Sequence, residues 1–100
     1  MASGSYIKTN KLKLICNKFD IAKKEHGQKM AEAIHQRMNE LRSADSIEFL
    51  IQFSIGRCHR LKGDRKDYYA MNLVHPYRLV LSKTDAVIYC VRIESIEDYH

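Results

Sequence analysis

The sequence is poor in the residues that mark disordered chains and in the patterns that mark repeat proteins. It contains one proline and four glycines among 100 residues, while 45% of its residues are apolar. This composition argues against disorder and against an array of linkers. No internal repeat and no low-complexity tract occurs along the chain. We therefore predict a single globular domain, residues 1–100, with one modest hydrophobic core.

The sequence also lacks an apolar run near the ~20 residues that cross a bilayer, and nothing in it resembles a signal peptide. Its three cysteines, Cys16, Cys58 and Cys90, are odd in number and far apart, which argues against structural disulfides. Cys58 and His59 are adjacent, but a second pair of ligands at zinc spacing is missing. We expect a cytoplasmic protein with reduced thiols, without a metal or cofactor and without a membrane partner.

Positive charge is in modest excess and is concentrated in one segment. Seventeen Lys and Arg residues stand against twelve Asp and Glu residues, which gives a net charge of +5. The cationic segment, residues 57–66, holds five Lys or Arg residues, one acid and a histidine. Such a run is usually solvated surface when it stands alone. Together with the net charge, it fits a polyanionic partner such as a nucleic acid.

Apolar residues recur at helical spacing through the first half of the chain. They predict a helix at about residues 10–26, with Phe19 on its apolar stripe, and a second helix at about residues 28–43. Gly27 separates the two, and so short a connection makes them antiparallel neighbours. Ser46 can cap a brief third helix.

From Arg57 onward the period of the apolar residues changes to two, which predicts β-strands. Strands are expected at about residues 69–74 and 78–81, joined by a turn at His75–Pro76, and a short first strand at about residues 5–9. After a turn at Thr84 and Asp85, residues 87–93 are rich in β-branched and aromatic residues and predict the last strand.

Helices first and strands second predict an α+β domain. Two N-terminal helices would pack on one face of a small twisted antiparallel β-sheet. The other face would be an open, shallow groove suited to a strand of nucleic acid.

The three C-terminal residues, Asp98, Tyr99 and His100, lie beyond the last predicted strand. They bring an acid, a phenol and an imidazole to a C-terminus with no evident packing role. Scission of RNA requires a base that deprotonates the 2′-hydroxyl, cations that stabilise charge on the phosphate, and an acid for the leaving oxygen. His59 and His100 carry imidazoles, which exchange protons near neutral pH. Tyr99 can donate a proton or stack on a base, and Asp98 can orient a histidine or act as base. The cations available are Lys62, Arg65 and Arg78.

The stretch CHRLKGDRKDYYAMNLVHPYRLVLS followed by IEDYH resembles the HigB-type killer toxins of the RelE/ParE superfamily. The resemblance runs in register from about Lys11 to His100 and rests on the joint presence of HRLKGDR, HPYR and the terminal EDYH. It implies a small α+β toxin that cleaves messenger RNA in the ribosomal A site and is held inactive by a cognate, HigA-like antitoxin. It also implies a monomeric toxin that joins oligomers through its antitoxin.

The resemblance further implies roles for individual residues. By position, the catalytic residues of the family correspond to His59, Lys62, Arg78, Asp98, Tyr99 and His100. The other cations of the cationic segment would bind RNA, namely Arg57, Arg60, Arg65 and Lys66. The chain departs from the family at Asp67, where glycine is common, so the backbone there either avoids a positive φ or adopts it at a small cost.

Two other functions stay open. ParE-like relatives on the same fold act by binding DNA gyrase, so a non-catalytic inhibitor is the alternative, because a fold does not decide a function. A basic RNA-binding module without activity is a third interpretation, and it would show salt-sensitive binding without cleavage. The ionisable residues at His59 and at the C-terminus favour a nuclease that works by attack of the 2′-hydroxyl on the scissile phosphate.

Overall fold

The computed structural model describes residues 6–44, 46–83 and 91–98 of the chain. Within these ranges the helices are α1 (Asn10–Asn17), α2 (Phe19–His26), α3 (Gln28–Ser43) and α4 (Ile47–Gln52). The strands in the same ranges are β1 (Tyr6–Ile7), β2 (His59–Arg60), β3 (Tyr68–Asn72), β4 (Tyr77–Lys83) and β5 (Val91–Asp98). Apart from β1, helices precede strands, as the change of period at Arg57 predicted.

The strands form one sheet in the order β1-β5-β4-β3-β2. The pairs β2–β3, β3–β4 and β4–β5 are antiparallel, and the predicted α+β fold with an antiparallel sheet is confirmed. β1 is shorter than the strand expected at about residues 5–9 and pairs parallel with β5, so it adds a parallel edge. A register shift between Val80 and Leu81 marks a bulge in the β4–β5 pair.

The helix predicted at residues 10–26 is two helices, because Lys18 takes an extended conformation with φ −121° and ψ 108° between α1 and α2. The prediction of one continuous helix with Phe19 on its buried stripe is therefore wrong. The break changes the angular register, so that Ala22 is buried while Phe19 is 38% exposed. Phe19 instead meets the His35 ring edge-on, with ring centroids 6.2 Å apart. Neither glycine nor proline marks this break in the sequence.

The helix hairpin and the caps agree with the sequence. Gly27 joins α2 to α3 at φ +90°, a conformation that favours glycine. The buried residues of α3 recur at helical spacing and are Met30, Ala31, Ile34, Met38 and Leu41. The Ser46 hydroxyl caps α4 by accepting a hydrogen bond from the Phe49 amide at 3.0 Å.

One face of the sheet packs on the helices and forms the main core. The largest fully buried side chains come from both layers and are Ile34, Met38, Leu41, Ile47, Leu50, Met71, Leu79, Leu81 and Ile93. The strand residues that alternate with these point to the opposite face of the sheet. On that face Ala70 and Val80 form a smaller buried cluster with Leu61. We call this second side, which carries Ala70, Val80, Arg78 and Glu97, the open face.

β5 extends further than the sequence predicted. Residues 91–93 of the predicted last strand are confirmed, while residues 84–90, with the predicted turn at Thr84 and Asp85, lie outside the described residues. The strand continues to Asp98, whose Cα partner is Tyr77, and Ile96 packs against the main core. The prediction that Asp98 lies beyond the last strand is therefore wrong. The β4–β5 bulge obscured the strand, because it breaks the alternation of apolar and polar residues before Ile96.

Candidate functional site

The pairing register gathers the candidate residues on the open face. One residue from each of four strands lies side by side in the order His59, Ala70, Val80 and Ser95. A second row, two residues along each strand, contains Asn72, Arg78 and Glu97. Directly opposed residues share a face of the sheet, so the histidine and the strand arginine lie on the same side.

The loop after β2 folds back over the open face. Leu61 is buried against Ala70 and Val80, and its amide donates a hydrogen bond to the Tyr68 carbonyl at 2.9 Å. A 3₁₀ helix, Gly63–Arg65, follows, and its first residue has φ +69°. This anchored turn holds Lys62 and Arg65 beside the sheet although both come from a loop.

Two clefts meet at His59 and Arg78. The first, of about 400 Å³, lies beside the β3–β4 turn, and its lining includes Arg57, His59, Asn72, His75, Tyr77 and Arg78. The second, of about 360 Å³, is lined by His59, Arg60, Leu61, Lys62, Arg65 and Arg78. The second cleft is strongly cationic, while the first also has apolar walls from Leu73 and Pro76. A ligand that spans both clefts would contact His59 and Arg78.

The hydrogen bond of His59 fixes which ring nitrogen is available. Nδ1 lies 2.9 Å from the carbonyl oxygen of Arg57. A carbonyl oxygen only accepts, so Nδ1 carries the proton and donates it. In the neutral ring Nε2 then keeps its lone pair. The exposed imidazole is therefore oriented to accept a proton through Nε2.

The backbone before His59 is held in an uncommon conformation. Ser54 and Arg57 have φ of +52° and +53°, and Gly56 between them has φ +60°. A Cβ at Gly56 would lie 2.7 Å from Nη1 of Arg37, so the arginine packs on the bare glycine backbone. Nε of Arg37 donates to the Asn72 carbonyl at 2.9 Å. Left-handed residues of this kind recur at functional sites, and here they direct Arg57 toward the first cleft.

A carboxylate that sequence analysis missed lies among the cations. Glu97 accepts two hydrogen bonds from Arg65, at 2.7 Å to Oε1 and 2.6 Å to Oε2. Nη2 of Arg78 lies 3.9 Å from Glu97 Oε1, and the Ser95 hydroxyl donates to Oε2 at 2.7 Å. The guanidinium of Arg65 also lies 5.6 Å from the centre of the Tyr68 ring.

The Arg65 pair sets the ionisation of Glu97. Hydrogen bonds from Arg65 lower the pKa of Glu97 from 4.5 to about 2, with smaller contributions from Ser95 and Arg78. The same hydrogen bond raises the pKa of Arg65. Glu97 is therefore a carboxylate at any physiological pH. Had the last predicted strand been extended to Asp98, Glu97 would have been predicted on the open face. In a strand the side chains alternate, so Glu97 lies on the face opposite that of Ile96.

The remaining predicted RNA-binding cations, Arg60 and Lys66, differ in the contacts that their side chains make. Nε of Arg60 donates to the Lys66 carbonyl, and Nη2 of Arg60 lies 3.9 Å from the Asp67 carboxylate. The Lys66 side chain is exposed. Asp67 does not adopt a positive φ, so the departure from the family's glycine causes no backbone strain. Its carboxylate is 84% exposed and pairs loosely with Arg60.

The C-terminal candidates are only partly described. Asp98 is exposed and is the Cα partner of Tyr77, so it alternates with Glu97 and lies on the helix side of the sheet. Tyr99 and His100 lie outside the described residues. The catalytic roles of these three residues remain predictions.

The described residues contain no group of three or more His, Cys, Asp or Glu side chains placed to hold a metal ion. Cys16 and Cys58 are free and buried, and burial raises the pKa of each thiol from 9.0 to about 11. Both therefore remain protonated at neutral pH and are poor nucleophiles or metal ligands. Cys90 lies outside the described residues. Within the described ranges, no helix has the length and apolar character needed to cross a bilayer.

Comparisons with known proteins find a protein of similar structure. No protein-family model matches the chain, and no curated protein matches it in sequence. The fold is similar to that of the YoeB/ParE toxin from Agrobacterium tumefaciens, with a TM-score of 0.58 and 14% sequence identity. The similarity covers 84% of this chain and 88% of that chain. The chain therefore shares its fold with a YoeB/ParE toxin.

Proposed function

We propose that this chain is the toxin of a type II toxin–antitoxin system and that it cleaves messenger RNA on the ribosome. The observation that carries the proposal is the position of His59 and Arg78, which line two adjoining clefts together with Lys62 and Arg65. An imidazole and a set of fixed cations around one point are what transesterification of RNA needs. The fold shared with a YoeB/ParE toxin supports the same conclusion.

His59 is the candidate general base. Because its Nδ1 proton is engaged by the Arg57 carbonyl, Nε2 can take the proton of a ribose 2′-hydroxyl. The bond from the 2′-oxygen to phosphorus then forms while the bond from phosphorus to the 5′-oxygen breaks. The products are a 2′,3′-cyclic phosphate and a 5′-hydroxyl, and the reaction needs no metal or other cofactor.

Arg78 and Lys62 are the candidate partners of the phosphate in the transition state. The Arg78 side chain is 14% exposed and projects from the middle strand β4, so little reorganisation is needed to stabilise developing charge. Lys62 adds a mobile point charge from the loop at the second cleft. Arg57, Arg60, Arg65 and Lys66 would bind neighbouring phosphates of the message.

The leaving 5′-oxygen needs a proton, and the C-terminal residues Asp98, Tyr99 and His100 are the candidates to provide it. β5 carries the chain to Asp98 beside Tyr77, a residue that lines the first cleft. The imidazole of His100 or the phenol of Tyr99 would be the acid, with Asp98 orienting it.

The partners follow from the shape and charge of the site. His59 and Lys62 are exposed, so the clefts alone offer few constraints on a flexible RNA strand. The ribosomal A site would supply the missing orientation of the RNA strand. Correct orientation of the reacting groups lowers the activation free energy far more than contact alone. A cell making such a protein in its cytoplasm requires an antitoxin, here HigA-like, that binds the monomeric chain and blocks it.

Induction of the chain in bacteria tests the proposal. We expect protein synthesis to stop before plasmid supercoiling changes, and the matched variant His59→Gln to leave growth unaffected. Loss of supercoiling first would favour the gyrase-binding alternative. Salt-sensitive RNA binding without any growth arrest would favour the inactive RNA-binding module.

A further inference from the structure

In the free chain, two cations that line the second cleft already pair with an anion of the same chain. The Glu97 carboxylate occupies the guanidinium fork of Arg65 with two hydrogen bonds and lies 3.9 Å from Arg78. Planar guanidinium forks bind carboxylate and phosphate with the same two-bond geometry. Two of the cations that line the second cleft with His59 are thus partly neutralised in the free chain.

We propose that Glu97 is an internal competitor for RNA phosphate, whose carboxylate must leave the fork of Arg65 before a phosphate can bind there. This inference rests on the proposed function for the source of the phosphate, a strand of RNA. Its effect is to keep the affinity of the free chain for stray RNA low. Productive binding then requires the additional contacts that a ribosome-held message supplies.

The exposure of the pair makes displacement feasible. The side chains of Arg65 and Glu97 are 36% and 31% exposed, so solvent and ligand reach both. Partly exposed ion pairs add little to stability, so breaking this one leaves the fold intact. Arg65 retains its position over the Tyr68 ring, and the hydroxyl of Ser95 remains as a partner for the displaced carboxylate.

Glu97 and Glu94 form a natural comparison on one strand. Glu94 is also ion-paired, with Lys8 at 3.6 Å and Arg92 at 3.5 Å, and it accepts a hydrogen bond from Ser82. Its cationic partners, Lys8 and Arg92, line neither cleft, whereas Arg65 and Arg78, the partners of Glu97, line the second cleft. The variants Glu97→Gln and Glu94→Gln therefore change the net charge equally, but only the first releases Arg65.

Binding of a short single-stranded RNA tests the proposal. The RNA carries 2′-O-methyl groups, so that cleavage cannot interfere. Glu97→Gln should bind it roughly tenfold more tightly than the wild type, as expected for release of a charge-assisted interaction. The slope of log affinity against log salt should steepen by about 0.7, the value for one more phosphate contact on a single strand. Glu94→Gln should change the slope little, and Glu97→Ala should behave like Glu97→Gln.

A double variant identifies the group responsible. In an Arg65→Ala background, Glu97→Gln should no longer increase affinity or steepen the salt slope. Unchanged or weaker RNA binding by folded Glu97→Gln and Glu97→Ala would overturn the proposal and make Glu97 a positioning residue for Arg65. The outcome is independent of catalysis. If the wild-type chain never cuts RNA but Glu97→Gln still binds RNA more tightly than the wild type, the proposed function is refuted. The competition between Glu97 and RNA phosphate would then still stand.

Discussion

Arg78 and Glu97 are Cα partners on adjacent strands, and their charged groups lie 3.9 Å apart on the open face. The pairing of β4 with β5 therefore fixes the distance between these two opposite charges. Sheet pairing holds both Cα atoms in register, while the loop residues Lys62 and Arg65 approach from the side. The site thus combines an arginine on a paired strand with cations from a loop, an arrangement that would suit the proposed stabilisation of developing charge.

Lys62 separates the chemical role of charge from its contribution to folding. Its side chain is exposed, so Lys62→Ala should change the free energy of unfolding by less than about 0.5 kcal/mol. Cleavage should fall by about 10²–10³-fold if the ammonium stabilises transition-state charge. Lys29→Ala, an exposed lysine of α3, is the control and should retain full activity. If the wild type, Lys62→Ala and Lys29→Ala cleave a ribosome-bound message at equal rates, Lys62 is not part of the site.

Arg78→Ala should reduce the rate of cleavage by a similar factor.

Arg57 provides a test that separates the strain of its backbone from the contribution of its charge. Its φ of +53° is costly for any residue with a Cβ. Arg57→Gly and Arg57→Ala both remove the cation, but only glycine relieves the backbone. We expect Arg57→Gly to be more stable than Arg57→Ala by about 1 kcal/mol in urea unfolding, with equally weakened RNA binding. If the alanine variant were the more stable of the two, the left-handed conformation at this position would be wrong.

Two glycines with similar backbone conformations but different surroundings form a matched pair. Gly56 has φ +60° and packs against Arg37, whereas Gly63 has φ +69° and nothing within 4 Å of an added Cβ. Both alanine variants should lose about 1–2 kcal/mol from the unfavourable φ. Gly56→Ala should lose about 1 kcal/mol more, because Arg37 must give up its hydrogen bond to the Asn72 carbonyl. Thermal melting of the two variants checks the difference, and equal losses would contradict the Arg37 contact.

Glu97 predicts how stability depends on acid pH. Its pKa is about 2 in the folded chain and 4.5 ordinarily, so the folded state favours the carboxylate. The stabilisation is complete above about pH 4.5 and is lost as the pH falls toward 2. Since the pair is partly exposed, we expect a loss of about 1 kcal/mol from this group. Urea unfolding of wild type and Glu97→Gln at a series of acid pH values should show a shallower decline for the variant. Parallel curves would mean that Arg65 does not hold Glu97 in solution.

The sequence predicted the fold well where local patterns were regular. The spacing of Met30, Ile34 and Met38 and the glycine at position 27 defined α3 and its connection. The break at Lys18 could not be predicted, because neither glycine nor proline marks it in the sequence. The extent of β5 was missed for a related reason, since a bulge disturbs the period that identifies a strand.

The candidate site was predicted in residue type but not in arrangement. The cationic segment and the family resemblance indicated His59, Lys62 and Arg78, and these line common clefts. The sequence could not show that Glu97 shares a face with Arg78, because that depends on strand register across the sheet. Nor could it show which nitrogen of His59 carries the proton, which a single contact to the Arg57 carbonyl decides.

The central claim is that His59 and the C-terminal residues cleave messenger RNA on the ribosome. Primer-extension mapping of a translated message tests it with the full chain, His59→Gln, and a chain that ends at Asp98 and so keeps β5 whole. The full chain should cut at discrete A-site codons only when ribosomes are present. Both variants should melt like the wild type and leave the message uncut, since loss of proton transfer costs about 10²–10⁴-fold in rate. Cutting by both folded variants at the wild-type rate, or none by the full chain on ribosomes, would contradict the account.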